Sequence, residues 1–114
     1  WNKELSFLSD YLTLPQEVPG HVWLGYPLMV KPTAPFSRGE LTAFLEAQGV
    51  ETRPIVAGNI AEQPVMANLK HRVVGDLPNA RRIHRQGFYI GCHQEMGSEA
   101  REAVAAYIQE FMGR

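Results

Sequence analysis

Hydrophobic residues recur at helix-like spacing in the first twelve positions of the chain. Leu5, Leu8 and Leu12 are separated by three and four residues, with aromatic side chains between them. This spacing places the three leucines on one face of a helix. We therefore expect an amphipathic helix over residues 2–12, packed on a sheet or on a further domain.

Three later stretches have the composition of β-strands. The first, His21 to Lys31, is rich in Val, Trp, Leu, Tyr and Met and follows a connector with two prolines and a glycine. Pro27 cannot donate a hydrogen bond to a neighbouring strand, so we expect this strand at a sheet edge or with a bulge. The second strand is predicted at Val50 to Ala57, and the third at Phe88 to His93.

Helix-start signals precede two further segments. Ser37 and Glu40 stand three residues apart, which is the pattern of a capping box, and the helix that they begin is expected to stop at Gly49. Asp76 can cap a short helix that ends at Gly87.

The last helix is predicted to begin at Ser98 and to carry a hydrophobic stripe at 3.6-residue period. The stripe consists of Val104, Tyr107, Ile108 and Phe111. Residues 60–74, by contrast, show no sustained period, and a loop of this length in a compact domain is usually functional or disordered.

The predicted order of elements is α-β-α-β-loop-α-β-α. Three strands with intervening helices predict an α+β fold, in which a small three-stranded sheet is covered mainly on one face by helices. A chain of 114 residues fits one small domain, residues 1–114, without room for a second core.

Composition narrows the class of protein. Eleven basic and twelve acidic side chains give a net charge of −1, which does not favour binding to nucleic acid or to an anionic membrane. No apolar run approaches the length of a membrane span. The single Cys92 cannot form an internal disulfide, and this favours a reducing cytoplasm.

Three motifs combine strand ends with glycine-rich or proline-containing loops. They read ETRPIVAGN at residues 51–59, GDLPN at residues 75–79 and GFYIGCH at residues 87–93. With these motifs in this order, the chain from about Trp23 to Phe111 resembles the C-terminal small domain of the DegT/StrS-type family. Its members are pyridoxal-phosphate-dependent aminotransferases and dehydratases that act on nucleotide-linked 4-keto sugars. The first motif is most similar to the CDP-4-keto-6-deoxyglucose 3-dehydratase-like branch.

The resemblance implies that the chain is a C-terminal fragment of a larger enzyme, which agrees with a first residue, Trp1, that is not Met. In such an enzyme the small domain is an α+β sandwich that packs on a large cofactor-binding domain and closes over the substrate. The implied role lies in deoxysugar or cell-surface polysaccharide biosynthesis, including lipopolysaccharide. The full-length protein is expected to be a homodimer.

The resemblance places the cofactor groups in the large domain, so we expect no catalytic residue in this chain. Pyridoxal phosphate needs a group beside its aldehyde, a partner for its ring nitrogen and a cradle for its phosphate. Lys3, Lys31 and Lys70 do not lie in the family's lysine context. Pyridoxal phosphate is therefore expected in the full-length enzyme and not in the fragment, which should be inactive.

Arg53 is the first candidate for substrate binding, because a guanidinium can hold the oxygens of a diphosphate with two parallel donors. A structural ion pair, for instance with Glu51, is the alternative. Gly58 and Asn59 can offer amides to the same ligand or can simply form a turn. His93 ends the predicted third strand and can face a cleft, although a half-solvated histidine without a ligand is the commoner case.

The other histidines share no metal-ligand spacing with one another or with Cys92, so no metal site is expected. Cys92 lies in an apolar strand, which indicates a buried small side chain rather than a nucleophile. Arg81, Arg82 and Arg85 are interpreted as the solvated face of a helix.

Two other functions remain open at this stage. One is a stand-alone α+β ligand-binding or regulatory module, and the other is a protein-interaction domain. The aromatic first strand and the apolar N-terminal segment offer more apolar surface than one small sheet needs, which favours a domain that packs on a larger partner.

Overall fold

The computed structural model describes all 114 residues as an α+β fold with one antiparallel sheet. The strands are β1 (Leu12–Thr13), β2 (Tyr26–Val30), β3 (Thr52–Pro54) and β4 (Gly87–Ile90), in the order β1-β2-β4-β3. The helices are α1 (Arg38–Ala47), α2 (Pro78–Gln86) and α3 (Ser98–Met112), and short 3-10 turns occupy Ser6–Leu8, Ile60–Glu62 and Pro64–Asn68. The predicted fold class is confirmed, and the sheet has one strand more than the three predicted.

The predicted N-terminal helix over residues 2–12 is wrong. The segment instead forms turns, the 3-10 turn Ser6–Leu8 and the short strand β1. Leu5, Leu8 and Leu12 are nevertheless buried, as their spacing indicated. The difference arises because Leu12 pairs with Val30 across the sheet, and this pairing imposes an extended backbone that local spacing does not reveal.

The other strands are shorter than predicted, and β2 is an inner strand. Its neighbour β1 pairs only with Met29 and Val30, so Pro27 has no strand beside it on that side and lies locally at an edge. This arrangement agrees with the expectation that proline imposes on a strand.

Alternation along the strands separates the two faces of the sheet. Tyr26, Leu28 and Val30 are buried, whereas Pro27 and Met29 between them are only half-buried. The buried side packs against α1 and α3 in one hydrophobic core. The core consists of Leu5, Leu8, Leu12, Tyr26, Leu28, Val30, Leu41, Leu45, Phe88, Ile90, Val104, Ala105 and Ile108.

Two of the three helix starts follow the predicted signals. The Ser37–Glu40 capping box at the start of α1 is present in full, and α3 begins at Ser98. The prediction that Asp76 caps α2 is wrong: Leu77 occupies the N-cap with a φ of 48°, and no side chain caps the helix. Pro78 follows at the first helical position, where its fixed φ suits a helix start and its missing amide costs nothing.

The segment from residue 60 to residue 77 contributes nothing to the core. It contains the two 3-10 turns after β3, and neither turn has a buried residue. Glu62 ties the segment to α2 through Arg81, 2.5 Å away, and Arg85, 3.7 Å away. No helix of the chain is both long enough and apolar enough to cross a membrane.

Candidate substrate-binding site

Arg53 lies on the face of the sheet opposite the core. It pairs with Tyr89 of β4, and Tyr89 pairs in turn with Pro27 of β2. Side chains of directly paired residues point to the same face, so these three residues form a row across the open side of the sheet.

A groove of about 270 Å³ adjoins this row. It is lined by Leu24, Gly25, Glu51, Arg53, Tyr89, Ile90 and Gly91. Gly25 lets the Tyr89 ring come close, since a Cβ at this position would lie 3.2 Å from the ring. The groove thus combines an aromatic ring and an aliphatic wall with one guanidinium and one carboxylate.

The Arg53 guanidinium forms an ion pair with Glu51. Its Nε lies 2.8 Å from the carboxylate Oε1, and its Nη2 lies 2.6 Å from the same oxygen. The two side chains are 75% and 74% exposed. A pair this exposed contributes about 0–1 kcal/mol to stability, so the pairing leaves the guanidinium accessible to a stronger anionic ligand.

Gly58 and Asn59 form a tightly held loop after β3. Gly58 has a φ of 58° and lies directly against the His84 ring of α2. Asn59 is 4% exposed, and its side-chain oxygen accepts a hydrogen bond from the Ala61 amide at 3.2 Å. In this structure both residues shape the loop, and the Asn59 side chain faces inward.

His93 lines a different groove from Arg53. The residues around it are Trp1, Lys3, Glu4, Cys92, Met96 and Arg101. The Trp1 indole donates a hydrogen bond to the Gly91 carbonyl at 3.0 Å, which fixes the N-terminal segment beside this groove. Cys92 is half-buried and packs against the core.

The structure also reveals a fixed arginine that the sequence interpretation missed. Arg38 Nη1 donates to the carbonyl of His84 at 2.8 Å and to that of Gly87 at 3.2 Å. A signal was available, because a cation in the first turn of a helix is opposed by the helix dipole and therefore suggests another role.

Two titrating groups lie outside the Arg53 groove. The hydrogen bond from Arg81 holds the pKa of Glu62 below its usual value, with a further contribution from Arg85. Burial raises the pKa of Tyr26 to about 12, and Cys92 and Glu17 add to the shift. The Tyr26 hydroxyl donates to the side-chain oxygen of Asn2.

None of the three lysines lines the groove at Arg53. The amino group of Lys31 donates to the Ser9 carbonyl at 2.5 Å, and Lys3 and Lys70 are exposed. The chain also has no group of three His, Cys, Asp or Glu side chains placed to hold a metal ion.

Comparison with known proteins matches residues 2–109 to the DegT/DnrJ/EryC1/StrS aminotransferase family. The lipopolysaccharide biosynthesis protein RfbH of Salmonella typhimurium is 38% identical over 111 residues, which make up 96% of this chain and 25% of that protein. The GDP-4-keto-6-deoxy-D-mannose 3-dehydratase of Yersinia pseudotuberculosis is 33% identical over 93 residues, 81% of this chain and 24% of that enzyme.

Solved structures show the same relationship. An E. coli GDP-4-keto-6-deoxy-D-mannose-3-dehydratase with bound hydrated PLP superimposes with a TM-score of 0.74 at 28% identity. The match covers 91% of this chain and 28% of the enzyme. The chain thus spans about a quarter of the length of the relatives that it matches.

Proposed function

Because the chain belongs to the DegT/DnrJ/EryC1/StrS aminotransferase family, we propose that it is the substrate-closing small domain of a pyridoxal-phosphate-dependent enzyme. The substrate would be a nucleotide-linked 4-keto sugar in deoxysugar or lipopolysaccharide biosynthesis. The observation that carries this proposal is the family match over nearly the whole chain, together with relatives about four times its length.

We further propose 3-dehydration as the reaction class. Relatives above 30% identity include two proteins named GDP-4-keto-6-deoxy-D-mannose 3-dehydratase, from Yersinia pseudotuberculosis and E. coli. This agrees with the branch that the motif at residues 51–59 resembles. Transamination is the alternative outcome of a product analysis on the intact protein.

The groove beside Arg53 supports a role in holding the nucleotide part of the substrate. Tyr89 offers an aromatic face to a base, and Arg53 offers paired donors to phosphate oxygens. A phosphate would compete with Glu51 for the guanidinium. Because that ion pair is exposed, breaking it costs little free energy. In the proposal, Gly58 and Asn59 fix the loop beside Arg53, and His93 borders the substrate from the other groove.

The remaining residues of the substrate site and the cofactor site belong, in this proposal, to the larger part of the enzyme. Its pyridoxal phosphate would supply the electron sink of the reaction. The small domain would bind the nucleotide-sugar and exclude water when it closes. We also propose that the intact enzyme is a cytoplasmic homodimer and that this chain alone neither binds the cofactor nor catalyses the reaction.

Arg53→Ala in the intact enzyme tests the proposal. Loss of a charge-assisted hydrogen bond is worth about 1.5–3 kcal/mol, so KM for the nucleotide-sugar should rise roughly ten- to a hundredfold. The melting temperature and the cofactor absorbance should not change, because the Glu51 pair is exposed. Arg53→Lys should recover part of the loss, since it keeps the charge without the planar fork.

Arg82→Ala is the matched control, because Arg82 is also exposed but hydrogen-bonds only to Gln86, at 3.2 Å. It should leave KM unchanged. A wild-type KM in Arg53→Ala, or an equal rise in both variants, would contradict the assignment of Arg53. Absence of any dehydratase or aminotransferase activity in the intact protein would contradict the function itself.

A further inference from the structure

A groove between α2 and the loop after β3 lies apart from the groove that adjoins Tyr89. Its volume is about 180 Å³, enough room for a tetrahedral oxyanion. It is lined by Arg38, Pro54, Ile55, Val56, Ala57, Gly58, Gln63 and His84. No carboxylate is among these residues, so the charge of the groove comes from Arg38.

The Arg38 guanidinium is held in place with three of its five N–H donors free. Nη1 donates to the carbonyls of His84 and Gly87, which orients the planar group. The Nε and Nη2 edge has no acceptor within the chain, and no carboxylate forms an ion pair with it. This edge is the one that binds phosphate or carboxylate oxygens with two parallel hydrogen bonds.

The absence of a counter-charge is notable for two reasons. Arg38 is half-buried, where a cation is normally paired, and the chain has more acidic than basic side chains. Arg38 also occupies the first position of α1, where the helix dipole opposes a positive charge. An anion bound beside Arg38 in the groove would supply the missing counter-charge and remove this conflict.

The opposite wall adds further donors. The His84 ring has no hydrogen-bond partner within the chain and packs on Gly58. Val56 has a φ of 44°, a strained conformation for a β-branched residue, and neither its amide nor that of Ala57 donates to another main-chain group. Successive free amides in such a loop are able to face an anion.

We propose that Arg38, His84 and the loop Val56–Gly58 form a binding site for a compact oxyanion of the phosphate type. The same chemistry is presented by inorganic phosphate and by the phosphate groups of a nucleotide. The proposal rests on the geometry of this groove and does not depend on the proposed enzymatic function.

The test is an NMR titration of the 114-residue chain with inorganic phosphate and, separately, with a nucleoside diphosphate. Saturable shifts of the Gly58 amide and the His84 ring are expected with phosphate. Equal affinity for both probes assigns the site to free phosphate, and tighter binding of the nucleoside diphosphate assigns it to a nucleotide. A titration in which phosphate causes no saturable shift at Gly58 or His84 would overturn the proposal.

Arg38→Lys should weaken phosphate binding about tenfold or more, because the ammonium keeps the charge and loses the fork. His84→Ala removes the ring but keeps the carbonyl that Arg38 uses, so it provides a second variant if α2 loses stability when Arg38 is changed. Severalfold weaker phosphate binding is expected for His84→Ala.

Arg82→Gln, a charge loss on the exposed side of α2, should bind phosphate like the wild type. If it weakens binding as much as Arg38→Lys does, the interaction is diffuse charge attraction and the proposal is wrong.

Discussion

The backbone of Gly58 lies so close to the His84 ring that a Cβ at position 58 would stand 2.3 Å from Nδ1. The same residue has a φ of 58°, a left-handed conformation that side chains other than glycine adopt at a cost. Two independent constraints, one steric and one conformational, therefore require glycine here. Through this contact α2 sets the position of the loop that follows Arg53.

Gly58→Ala should therefore lower the free energy of unfolding of the chain by more than the roughly 1 kcal/mol expected from the backbone conformation alone. In a His84→Ala background the contacts with the ring disappear and only the Cβ of residue 84, at 3.2 Å, remains, so the cost of Gly58→Ala should fall towards the conformational cost. Urea denaturation of the two single variants and the double variant measures the coupling.

Gly39→Ala provides the control for this cycle. Gly39 lies in α1, and a Cβ there would meet only the Ser37 hydroxyl, at 3.9 Å. Alanine should stabilise this helical position by roughly 0.5–1 kcal/mol. If Gly58→Ala is as well tolerated as Gly39→Ala, the contact with His84 does not constrain the loop.

Local signals were sufficient for the elements whose stabilising contacts lie nearby in sequence. The capping box of Ser37 and Glu40 predicted the start of α1, and the stripe of Val104 and Ile108 predicted the buried face of α3. The N-terminal strand could not be predicted in this way. Its extended form depends on the pairing of Leu12 with Val30, on the far side of an irregular connector.

The same division applies to the candidate sites. The exposure of Arg53 was predictable because a charged residue beside a proline in a short strand is poorly suited to a core. The contacts of Arg38 were not predictable, because its acceptors, the carbonyls of His84 and Gly87, are 46 and 49 residues away in sequence. Only the folded chain brings them into contact.

Ser37→Ala tests how much the capping box stabilises α1. The Ser37 hydroxyl accepts from the Glu40 amide at 3.2 Å, and the Glu40 carboxylate accepts from the Ser37 amide at 2.7 Å. Removal of the hydroxyl should lower the free energy of unfolding by about 1 kcal/mol. Ser98→Ala is the control, since Ser98 lies inside α3 and provides no cap, and thermal denaturation should show no comparable loss.

The attachment of residues 60–77 to α2 should depend on pH, because it relies on the charge of Glu62. The pKa of Glu62 is lower in the folded chain than in the unfolded chain, chiefly because Arg81 donates a hydrogen bond to it. The contribution of this contact is therefore present above the unfolded pKa of about 4.3 and is lost as pH falls through the lower, folded value. In acid the segment should detach from α2 before the sheet unfolds.

The protection of the Ala61 amide from hydrogen exchange measures this detachment, because that amide donates a hydrogen bond to the Asn59 side chain at the start of the segment. In Glu62→Gln the protection factor of the Ala61 amide, the slowing of its exchange relative to an unfolded chain at the same pH, should be low at neutral pH and should change little in acid. Glu51→Gln, which removes the exposed partner of Arg53, should behave as the wild type does. Unchanged protection of Ala61 in Glu62→Gln would show that the ion pairs do not hold the segment.

Tyr26 should make the fold sensitive to alkaline pH. Tyr26 is 3% exposed, and burial raises the pKa of its hydroxyl to about 12, from about 10 in an unfolded chain. Because the folded state holds this proton more tightly, its contribution is complete below pH 10 and is lost as pH rises towards 12, by on the order of 2–3 kcal/mol at most. Tyr26→Phe loses the hydrogen bond to Asn2 at every pH but has no proton to release.

Urea denaturation between pH 9 and pH 12 measures this difference. The free energy of unfolding of the wild type should fall relative to that of Tyr26→Phe as pH rises across this interval. If the free energy of unfolding changes with pH in the same way for both proteins, the hydroxyl reaches solvent in the folded chain.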